Sequence, residues 1–238
     1  MDGKVAIVTG ASSGIGAAIA QRFGSGGFRN VLFARRIEAL EGVERGITQN
    51  GGEAFCVAGD VTRREDVTRC VEQTLTRWGR IDVLVNNAGM GRRRGIEEIT
   101  EADFDELFSV NVKGPLLMTQ AVLPTMKVQK AGQIINVGSM AGMVGIGGSS
   151  LYSATKWALR GLNESWREEL YPFGIKVAYL APGYVLTPFG RPGRDLGQAP
   201  EKEWAMAPED IAEAAWMVAN QGKNADVRDV VIQVLDRS

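Results

Sequence analysis

The stretch "VAIVTGASSGIG", residues 5–16, decides the fold because it joins a predicted strand, a turn and a helix. The run "VAIVT" (5–9) is continuously apolar, which predicts a buried strand. After the glycines, "IGAAIAQRF" (15–23) repeats apolar residues at helical spacing. The order strand, glycine-rich turn, helix is therefore expected near the beginning of this sequence.

The same alternation of short β-branched runs and longer amphipathic segments continues along the chain. It predicts an α/β fold, a single doubly wound domain over residues 1–238 whose seven-stranded parallel sheet is flanked by helices. The long irregular stretch 182–207 carries several prolines and is expected to form a substrate loop or lid. The predicted strands are 5–9, 31–34, 54–59, 81–86, 133–138, 175–181 and 229–235, and the predicted helices are 15–23, 37–49, 63–78, 103–130, 151–171 and 208–220.

The glycines of the first turn predict an anion site. Gly10, Gly14 and Gly16 let the backbone turn tightly and approach a pyrophosphate, while the next helix offers its N-terminal N–H groups. Their GxxxGxG spacing differs from the common GxGxxG pattern. A plain tight loop is the alternative, but the strand before and the helix after favour a dinucleotide.

The end of the second strand indicates which dinucleotide. A fold of this kind places an acidic residue near position 34 to bind the ribose of NAD. Here Ala34 is followed by Arg35 and Arg36. Guanidinium groups match a phosphate well, so NADP is favoured over NAD. A solvated basic turn is the alternative.

Polar motifs also follow the third and fourth strands. In "GDV" (59–61), Asp60 is positioned to accept from an adenine amino group. In "NNAG" (86–89), Asn87 to Gly89 would let the backbone pass close to the adenosine. Asp and Asn also cap strand ends, which is the structural alternative for both motifs.

Composition excludes several classes of protein. The net charge of -1 gives no global field for nucleic acid or a membrane surface, and neither is expected as a partner. The chain has no histidine, so Ser-His-Asp and Cys-His triads are excluded and no metal site is expected. Two cysteines outside metal spacing indicate a reducing compartment. With no signal peptide expected and no apolar run of about 18 residues, we expect a cytoplasmic protein.

In "SSLYSATKWALRGL" (149–162), Tyr152 and Lys156 lie one helical turn apart on the same face. A free tyrosine has a pKa of about 10. A protonated lysine within about 4–6 Å favours the phenolate and lowers that pKa. The pair is therefore predicted to act as an acid/base near neutral pH. Taken alone, YxxxK is also common on exposed helix faces.

Two further residues give this pair a context. Ser139 ends the strand "QIINVGS", where its hydroxyl would bind a substrate carbonyl. Asn111 precedes Pro115 by four residues, and proline has no N–H, so the Asn111 carbonyl loses its helical donor. We expect a kink there and a carbonyl that holds a water for proton relay. The alternative is that the kink merely shapes the helix against its neighbours.

Together these motifs resemble the short-chain dehydrogenase/reductase family. "TGASSGIG", "GDV", "NNAG", "NVKG", Ser139, "YSATK" and "PGYVLT" occur in the family's order. The resemblance implies a Rossmann-type fold and hydride transfer between NAD(P) and a carbonyl or alcohol. It implies that Tyr152 donates or accepts the proton, that Lys156 tunes it and binds the nicotinamide ribose, that Ser139 orients the substrate and that Asn111 anchors a water.

The resemblance also implies a set of cofactor contacts. Ser13 stands where many NADP-dependent members have a basic residue, and the last strand lacks the Asp-Gly-Gly ending of many members. That shorter ending resembles the 3-hydroxy acid dehydrogenase and sepiapterin-reductase-like branches rather than fatty-acyl reductases. The implied cofactor-binding residues are Gly10, Ser12, Ser13, Gly14, Ile15, Gly16, Arg35, Arg36, Asp60, Val61, Asn87, Ala88, Gly89, Tyr152, Lys156, Pro182, Gly183, Val185 and Thr187.

The expected substrate is a small carbonyl compound or alcohol in a largely apolar pocket with a mobile lid. In "GRRRG" (91–95), three arginines suggest the hypothesis of an anionic substrate, with a solvated loop as the alternative. The apolar residues predicted to flank the cleft are Met143, Val144, Ile146, Tyr184, Phe189 and Trp204, although each also fits a core role.

Two wider expectations complete the prediction. Trp157, Leu162 and Trp166 give one helix more apolar surface than a single core face requires, so a homo-oligomer is expected, with a tetramer favoured over a dimer. The rival to an enzyme is a cofactor-binding regulatory or sensor protein on the same fold. All four chemical positions are filled, which favours the enzyme.

Overall fold

A computed structural model describes residues 3–189 and 204–235. In this part of the chain, seven strands form one parallel sheet in the order β3-β2-β1-β4-β5-β6-β7. The predicted doubly wound α/β fold is confirmed. The strands are β1 Val5–Thr9, β2 Arg29–Ala34, β3 Glu53–Ala58, β4 Val83–Asn86, β5 Gly132–Val137, β6 Ile175–Pro182 and β7 Asp229–Ile232.

The helices follow the predicted positions, with one exception. The helical stretch expected at 103–130 is observed over 101–129, but it consists of two α-helices joined by a π-helical turn, Ser109–Lys113. Pro115 stands in the first turn of the second helix, where its missing N–H is tolerated. The α-helices are α1 Gly14–Ser25, α2 Ile37–Gln49, α3 Arg64–Trp78, α4 Glu101–Phe108, α5 Gly114–Gln129, α6 Ser150–Leu170 and α7 Pro208–Ala219.

The sheet is buried on both faces. Successive residues of a strand point to opposite sides, so each strand contributes side chains to both faces. In β1, Ala6 and Val8 pack into a core with side chains of α1, α2 and α7. Ile7, between them, packs into a second core with side chains of α3, α5 and α6. Burial of both faces explains why the strands read as continuous apolar runs.

All strands end at the same edge of the sheet, and the predicted site motifs lie there. β1 and β4 are neighbours in the middle of the sheet. Strands β2 and β3 follow on the β1 side, and strands β5, β6 and β7 follow on the β4 side. Ligands of open α/β sheets bind at such a position. No helix within residues 3–189 or 204–235 is long and apolar enough to cross a membrane.

The predicted loop 182–207 is described only at its two ends. The Gly183 N–H donates to the Ile232 carbonyl at 2.7 Å, and Val185 forms a bridge with Met206. These bonds attach the start of the loop to β7 and to the chain before α7. The middle of the loop, with Pro192 and Pro200, lies outside the described residues.

Candidate active site

The turn between β1 and α1 leaves no room for side chains at its glycines. Gly10 and Gly14 have φ values of 65° and 56°, a region that disfavours other residues. A Cβ atom on Gly10 would lie 2.9 Å from both Ala88 Cα and Asn87 Nδ2, and one on Gly16 would overlap the Gly10 carbonyl oxygen. The turn is therefore a cradle of exposed backbone.

The chain after β4 is bonded directly to this turn. Asn87 Nδ2 donates to the carbonyls of Thr9 and Gly10, at 3.0 and 3.3 Å. The Thr9 hydroxyl accepts from the N–H groups of Asn87 and Ala88, each at 3.0 Å. Thr9 was missed by sequence reasoning; a hydroxyl at the end of an apolar strand is the signal that would have found it.

Residues predicted to contact the cofactor surround this cradle. A Cβ atom on Gly14 would lie 3.2 Å from Thr187 Cβ, so the "PGYVLT" segment covers the turn. The side chains of Ser12, Ser13 and Ile15 are partly exposed at the beginning of α1. Ser13 is the N-cap of α1 but makes no side-chain capping bond. The first N–H groups of a helix have no intrahelical acceptor, so the beginning of α1 beside this turn could hold an anion.

The basic pair after β2 is exposed. Arg35 and Arg36 form no ion pair with any described residue. Together with the glycine cradle, two unpaired guanidiniums at the adjacent strand end fit a dinucleotide that carries an extra phosphate.

The "GDV" motif has a clear structural role. Asp60 Oδ1 accepts from both the N–H and the hydroxyl of Thr62, each at 2.8 Å. Val61 is buried, and a Cβ atom on Gly114 would lie 2.8 Å from its Cγ2. The structural alternative for this motif is therefore present, and a contact of Asp60 with adenine stays a prediction.

The predicted chemical residues come together at the ends of β5 and β6. The Ser139 side chain lies close enough to Tyr152 to lower the pKa of its phenol. Ser139 Oγ also accepts from the Ala141 N–H at 3.1 Å, as N-cap of a short 3₁₀ turn. Lys156 is buried; its Nζ donates to the Val137 carbonyl at 2.9 Å and lies 5.8 Å from the Tyr152 ring centroid.

The predicted fall in the pKa of Tyr152 is wrong when only groups of the protein itself act on it. Burial raises the pKa of Tyr152 to about 12, and the Ser139 side chain opposes this only in part. Burial also lowers the pKa of Lys156 to about 8. Desolvation disfavours both charged forms here and outweighs the attraction between them. At neutral pH the tyrosine is protonated and able to donate.

The π-helical turn brings Asn111 to this cluster through its side chain. Asn111 Oδ1 accepts from the Met90 N–H at 2.8 Å, and Nδ2 donates to the Met90 carbonyl at 2.9 Å. Nδ2 also donates to Thr155 Oγ1 at 3.0 Å, and that hydroxyl donates to the Tyr152 carbonyl at 2.7 Å. Sequence reasoning considered only the backbone carbonyl of Asn111; water binding there stays a prediction.

Comparison with known proteins identifies the family. The family model for short chain dehydrogenases matches residues 4–195, more than half of the chain. This chain belongs to the short-chain dehydrogenase family. It is 38% identical over 232 residues to an uncharacterized oxidoreductase of Staphylococcus saprophyticus, covering 97% of each chain.

Solved structures of this family superpose over nearly the whole chain. A metagenomic short-chain oxidoreductase in complex with NADP has a TM-score of 0.86 at 38% identity, with 99% of each chain covered. An alcohol dehydrogenase from the archaeon Thermococcus sibiricus, complexed with 5-hydroxy-NADP, has a TM-score of 0.90 at 32% identity and covers 100% of this chain and 99% of its own. The protein is therefore an oxidoreductase of the short-chain dehydrogenase family.

Two of the three loop arginines of this short-chain dehydrogenase have internal partners. Arg92 pairs with Asp103 and, at 2.8 Å, with Glu106; Arg94 Nε lies 3.4 Å from Asp103 Oδ2. Asp103 is buried, and its pKa is lowered to about 2, chiefly by a hydrogen bond from the Thr100 N–H and by the Arg92 guanidinium. These contacts favour a structural role for the pair and leave only Arg93 of the loop without an ion pair among the described residues.

The apolar residues predicted to flank the cleft lie in different surroundings. The Phe189 ring centroid lies 5.8 Å from that of Tyr152, and Tyr184 and Trp204 are 5.0 Å apart. Met143 instead packs against the small core cluster of Leu159, Tyr179 and Ala181. Val144 and Ile146 are exposed.

The surface of α6 is less apolar than the sequence suggests. Trp166 is 7% exposed and belongs to the core, so the expectation that it adds apolar surface is wrong. Trp157 is 49% exposed, and Phe104 on α4 is exposed to the same extent. One large apolar side chain on each of α4 and α6 is thus exposed.

Proposed function

We propose that the protein transfers a hydride between NADP(H) and a carbonyl or alcohol substrate, with Tyr152, Ser139, Lys156 and Asn111 as its chemical residues. The observation that carries this proposal is the convergence of three groups: the Nζ of buried Lys156 lies 5.8 Å from the Tyr152 ring centroid, and the Ser139 side chain lies close enough to lower the pKa of Tyr152. Two hydroxyl groups that meet at one point can bind a single substrate oxygen, which is where charge develops in carbonyl reduction.

In the reduction direction, the Ser139 hydroxyl donates a hydrogen bond to the carbonyl oxygen of the substrate. Tyr152 Oη then gives its proton to that oxygen as negative charge develops there. The nicotinamide supplies the hydride when it is bound. Lys156, whose pKa of about 8 leaves it mostly protonated at neutral pH, stabilises the resulting phenolate. Asn111 supports the cluster through Thr155 and the Tyr152 backbone.

NADP is preferred to NAD in this proposal. Arg35 and Arg36 would hold the 2′-phosphate, and Gly10, Gly14 and Gly16 would receive the pyrophosphate. Two solved relatives were crystallised with NADP or a derivative of it, which supports the same preference. Asn87 to Gly89 and the segment from Pro182 to Thr187 would border the rest of the cofactor.

The proposal also covers the lid, the oligomeric state and the location of the protein. The segment 182–207 is proposed as the lid, because Phe189 already contacts Tyr152. Exposed Trp157 and Phe104 support a homo-oligomer, with a tetramer preferred to a dimer. Free Cys56 and Cys70 support a cytoplasmic location.

The deciding experiment is a panel of ketones and aldehydes assayed with NADPH and NADH in parallel. In Tyr152→Phe the ring is kept and the proton lost, so kcat is expected to fall by about 10²–10⁴-fold while NADPH still binds. Tyr171→Phe, at a position 76% exposed, is the matched control and keeps its rate.

Two results would contradict the proposal. Equal rates in wild type and Tyr152→Phe would show that the phenol is not the acid. NADPH binding without turnover on any substrate would favour a cofactor-binding regulatory or sensor protein instead.

A further inference from the structure

Tyr179 is a buried aromatic residue that the mechanism above does not use. It lies in the middle of β6, is 1% exposed and packs with Leu159 and Ala181. Its neighbours along the strand are aliphatic, and a Phe or Leu would fill such a position without introducing a polar atom. A buried hydroxyl without a hydrogen-bond partner is unfavourable, so the partners of this phenol are informative.

The ring occupies space that two glycines leave open. A Cβ atom on Gly138 would overlap the ring of Tyr179, and one on Gly142 would overlap its hydroxyl. These glycines bracket the short segment that carries Ser139. The absence of side chains at both positions thus lets the phenol lie directly against the backbone of the catalytic serine.

The hydroxyl contacts two catalytic elements at once. Tyr179 Oη accepts from the Ser139 N–H at 3.4 Å and lies 3.5 Å from the Ser139 carbonyl oxygen. It also lies 3.3 Å from the Lys156 carbonyl oxygen, to which it donates. The loop after β5 and helix α6 are therefore bridged by one side chain.

The phenol keeps its proton over the working pH range. Burial raises the pKa of Tyr179 to about 12, so it remains both a donor and an acceptor at neutral pH. The backbone of Ser139 is held from the β6 side by Tyr179, while the Ser139 side chain lies close enough to Tyr152 to lower its pKa.

We propose that Tyr179 is a positioning residue that fixes the backbone of Ser139 relative to that of Lys156, and thereby the serine hydroxyl relative to Tyr152. This inference rests on the proposed function, since it assigns importance to the same serine, tyrosine and lysine. Each bond is long, so the expected effect is smaller than that of a residue that contacts substrate.

The test is Tyr179→Phe, which keeps the ring and removes the bridge. We expect kcat to fall about 5- to 10-fold, as for the loss of one net hydrogen bond, with KM and the NADPH Kd unchanged. Tyr171→Phe is again the matched control. Tyr179→Leu is a second hydroxyl-free variant for which the same fall in kcat is expected if the first is poorly soluble.

The pH profile distinguishes positioning from general stability. The Ser139 side chain lowers the pKa of Tyr152, so a loosened Ser139 lets that pKa rise. Ionised Tyr179 raises the same pKa, but this phenol keeps its proton below its own pKa of about 12 and has no such effect in the assay range. Alcohol oxidation needs the phenolate, and its rising limb is therefore expected to move to higher pH in Tyr179→Phe. An unchanged kcat and profile would overturn the proposal, as would a fall in kcat that only follows a fall in Tm with the profile unmoved.

Measuring Tyr152→Phe beside Tyr179→Phe separates the positioning role of Tyr179 from the proposed function on which it rests. If Tyr152→Phe is inactive and Tyr179→Phe matches wild type, only the positioning role fails. If Tyr152→Phe keeps its full rate, the proposed function fails, whatever Tyr179→Phe does.

Discussion

The glycine turn and the tyrosine cluster lie at the same edge of the sheet, but they are held in different ways. In the turn, Gly10 and Gly16 are set by steric exclusion, since any Cβ atom would meet Asn87 or the backbone. In the cluster, Lys156 is buried and Tyr152 partly buried, and single hydrogen bonds hold each in place: Lys156 Nζ donates to the Val137 carbonyl, and the Tyr152 carbonyl accepts from the Thr155 hydroxyl. The turn therefore depends on the absence of side-chain volume, whereas the cluster depends on the polar groups that its side chains carry.

This difference has a consequence for substitutions. Adding volume to the turn must displace backbone, so stability and cofactor binding should fail together. Replacing a chemical group in the cluster by one of equal shape should leave both intact and stop only turnover. Variants that break one region while sparing the other therefore measure how separate the two regions are.

The largest effect is expected from Gly16→Ala. The added methyl group would overlap the Gly10 carbonyl, and such overpacking lowers the free energy of unfolding by about 1–3 kcal/mol. If the free energy of nucleotide binding falls by a similar amount, the Kd for NADPH and NADH rises by up to about 100-fold. Thermal unfolding and nucleotide fluorescence titrations measure both quantities.

Gly42→Ala is the control for this substitution. Gly42 lies within α2, where an added Cβ atom has only the end of the Arg45 side chain near it, at 3.9 Å. Alanine is the better helix former there by about 1 kcal/mol, so this variant should be more stable and bind normally. A stable Gly16→Ala protein with normal affinity would refute the idea that shape specifies the turn.

The next effect is expected from the double substitution Arg35→Ala and Arg36→Ala. Bonds from a guanidinium to a phosphate contribute about 1.5–3 kcal/mol, so the Kd for NADPH should rise about 10- to 100-fold. The Kd for NADH and the Tm should not change, because neither arginine has an ion-pair partner among the described residues. Competitive titration of the two nucleotides gives the comparison.

Arg45→Ala, on the exposed side of α2, serves as the control for lost positive charge. If affinity for both nucleotides fell equally in the double variant, the arginines would be part of the general cradle rather than the selector of NADP.

The smallest effect concerns the arginine loop beside the cluster. The pKa of Asp103 is about 2 in the folded protein and about 3.9 in an unfolded chain. The unfolded state therefore binds more protons in this range, and stability is lost as the pH falls from about 4 to about 2. In Asp103→Asn the decline of Tm across that window should be shallower, and the Tm at pH 7 should be lower than in wild type.

Circular dichroism melts between pH 2 and 7 test this expectation. Asp105→Asn, exposed on the same helix, is the control and should follow the wild-type curve. Identical slopes for Asp103→Asn and wild type would mean that the buried carboxylate is not the group that titrates.

Sequence reasoning predicted the fold well because the sheet is buried on both faces. Continuous apolar strands and amphipathic helices are both strong periodic signals, and β1 and α2 were predicted with the bounds observed. The π-helical turn within the stretch 103–130 was not predicted, because such a turn keeps the helical pattern while changing the hydrogen bonds. Periodicity alone does not distinguish one long helix from two.

The site was predictable as far as residue type and position at a strand end indicate function. Tyr152, Ser139 and Lys156 were brought together as expected. The sign of the Tyr152 pKa shift was not predictable, because it depends on burial, which spacing does not reveal. The contacts of Thr9 and Tyr179 were missed for a related reason, since both residues act through the backbone of other segments.

The π-helical turn at Ser109–Lys113 also constrains the length of the chain. In such a turn each N–H reaches back five residues, as Gly114 does to Ser109, so it holds one residue more than an α-helical turn. Deleting the extra residue would leave an ordinary α-helical turn that winds through about the same angle, so α4 and α5 would keep their mutual orientation. The residues inside the turn would change place instead, and Asn111 would lose its bonds to Met90 and Thr155. A one-residue deletion in this turn is therefore expected to remove the contacts of Asn111 while the two helices stay aligned.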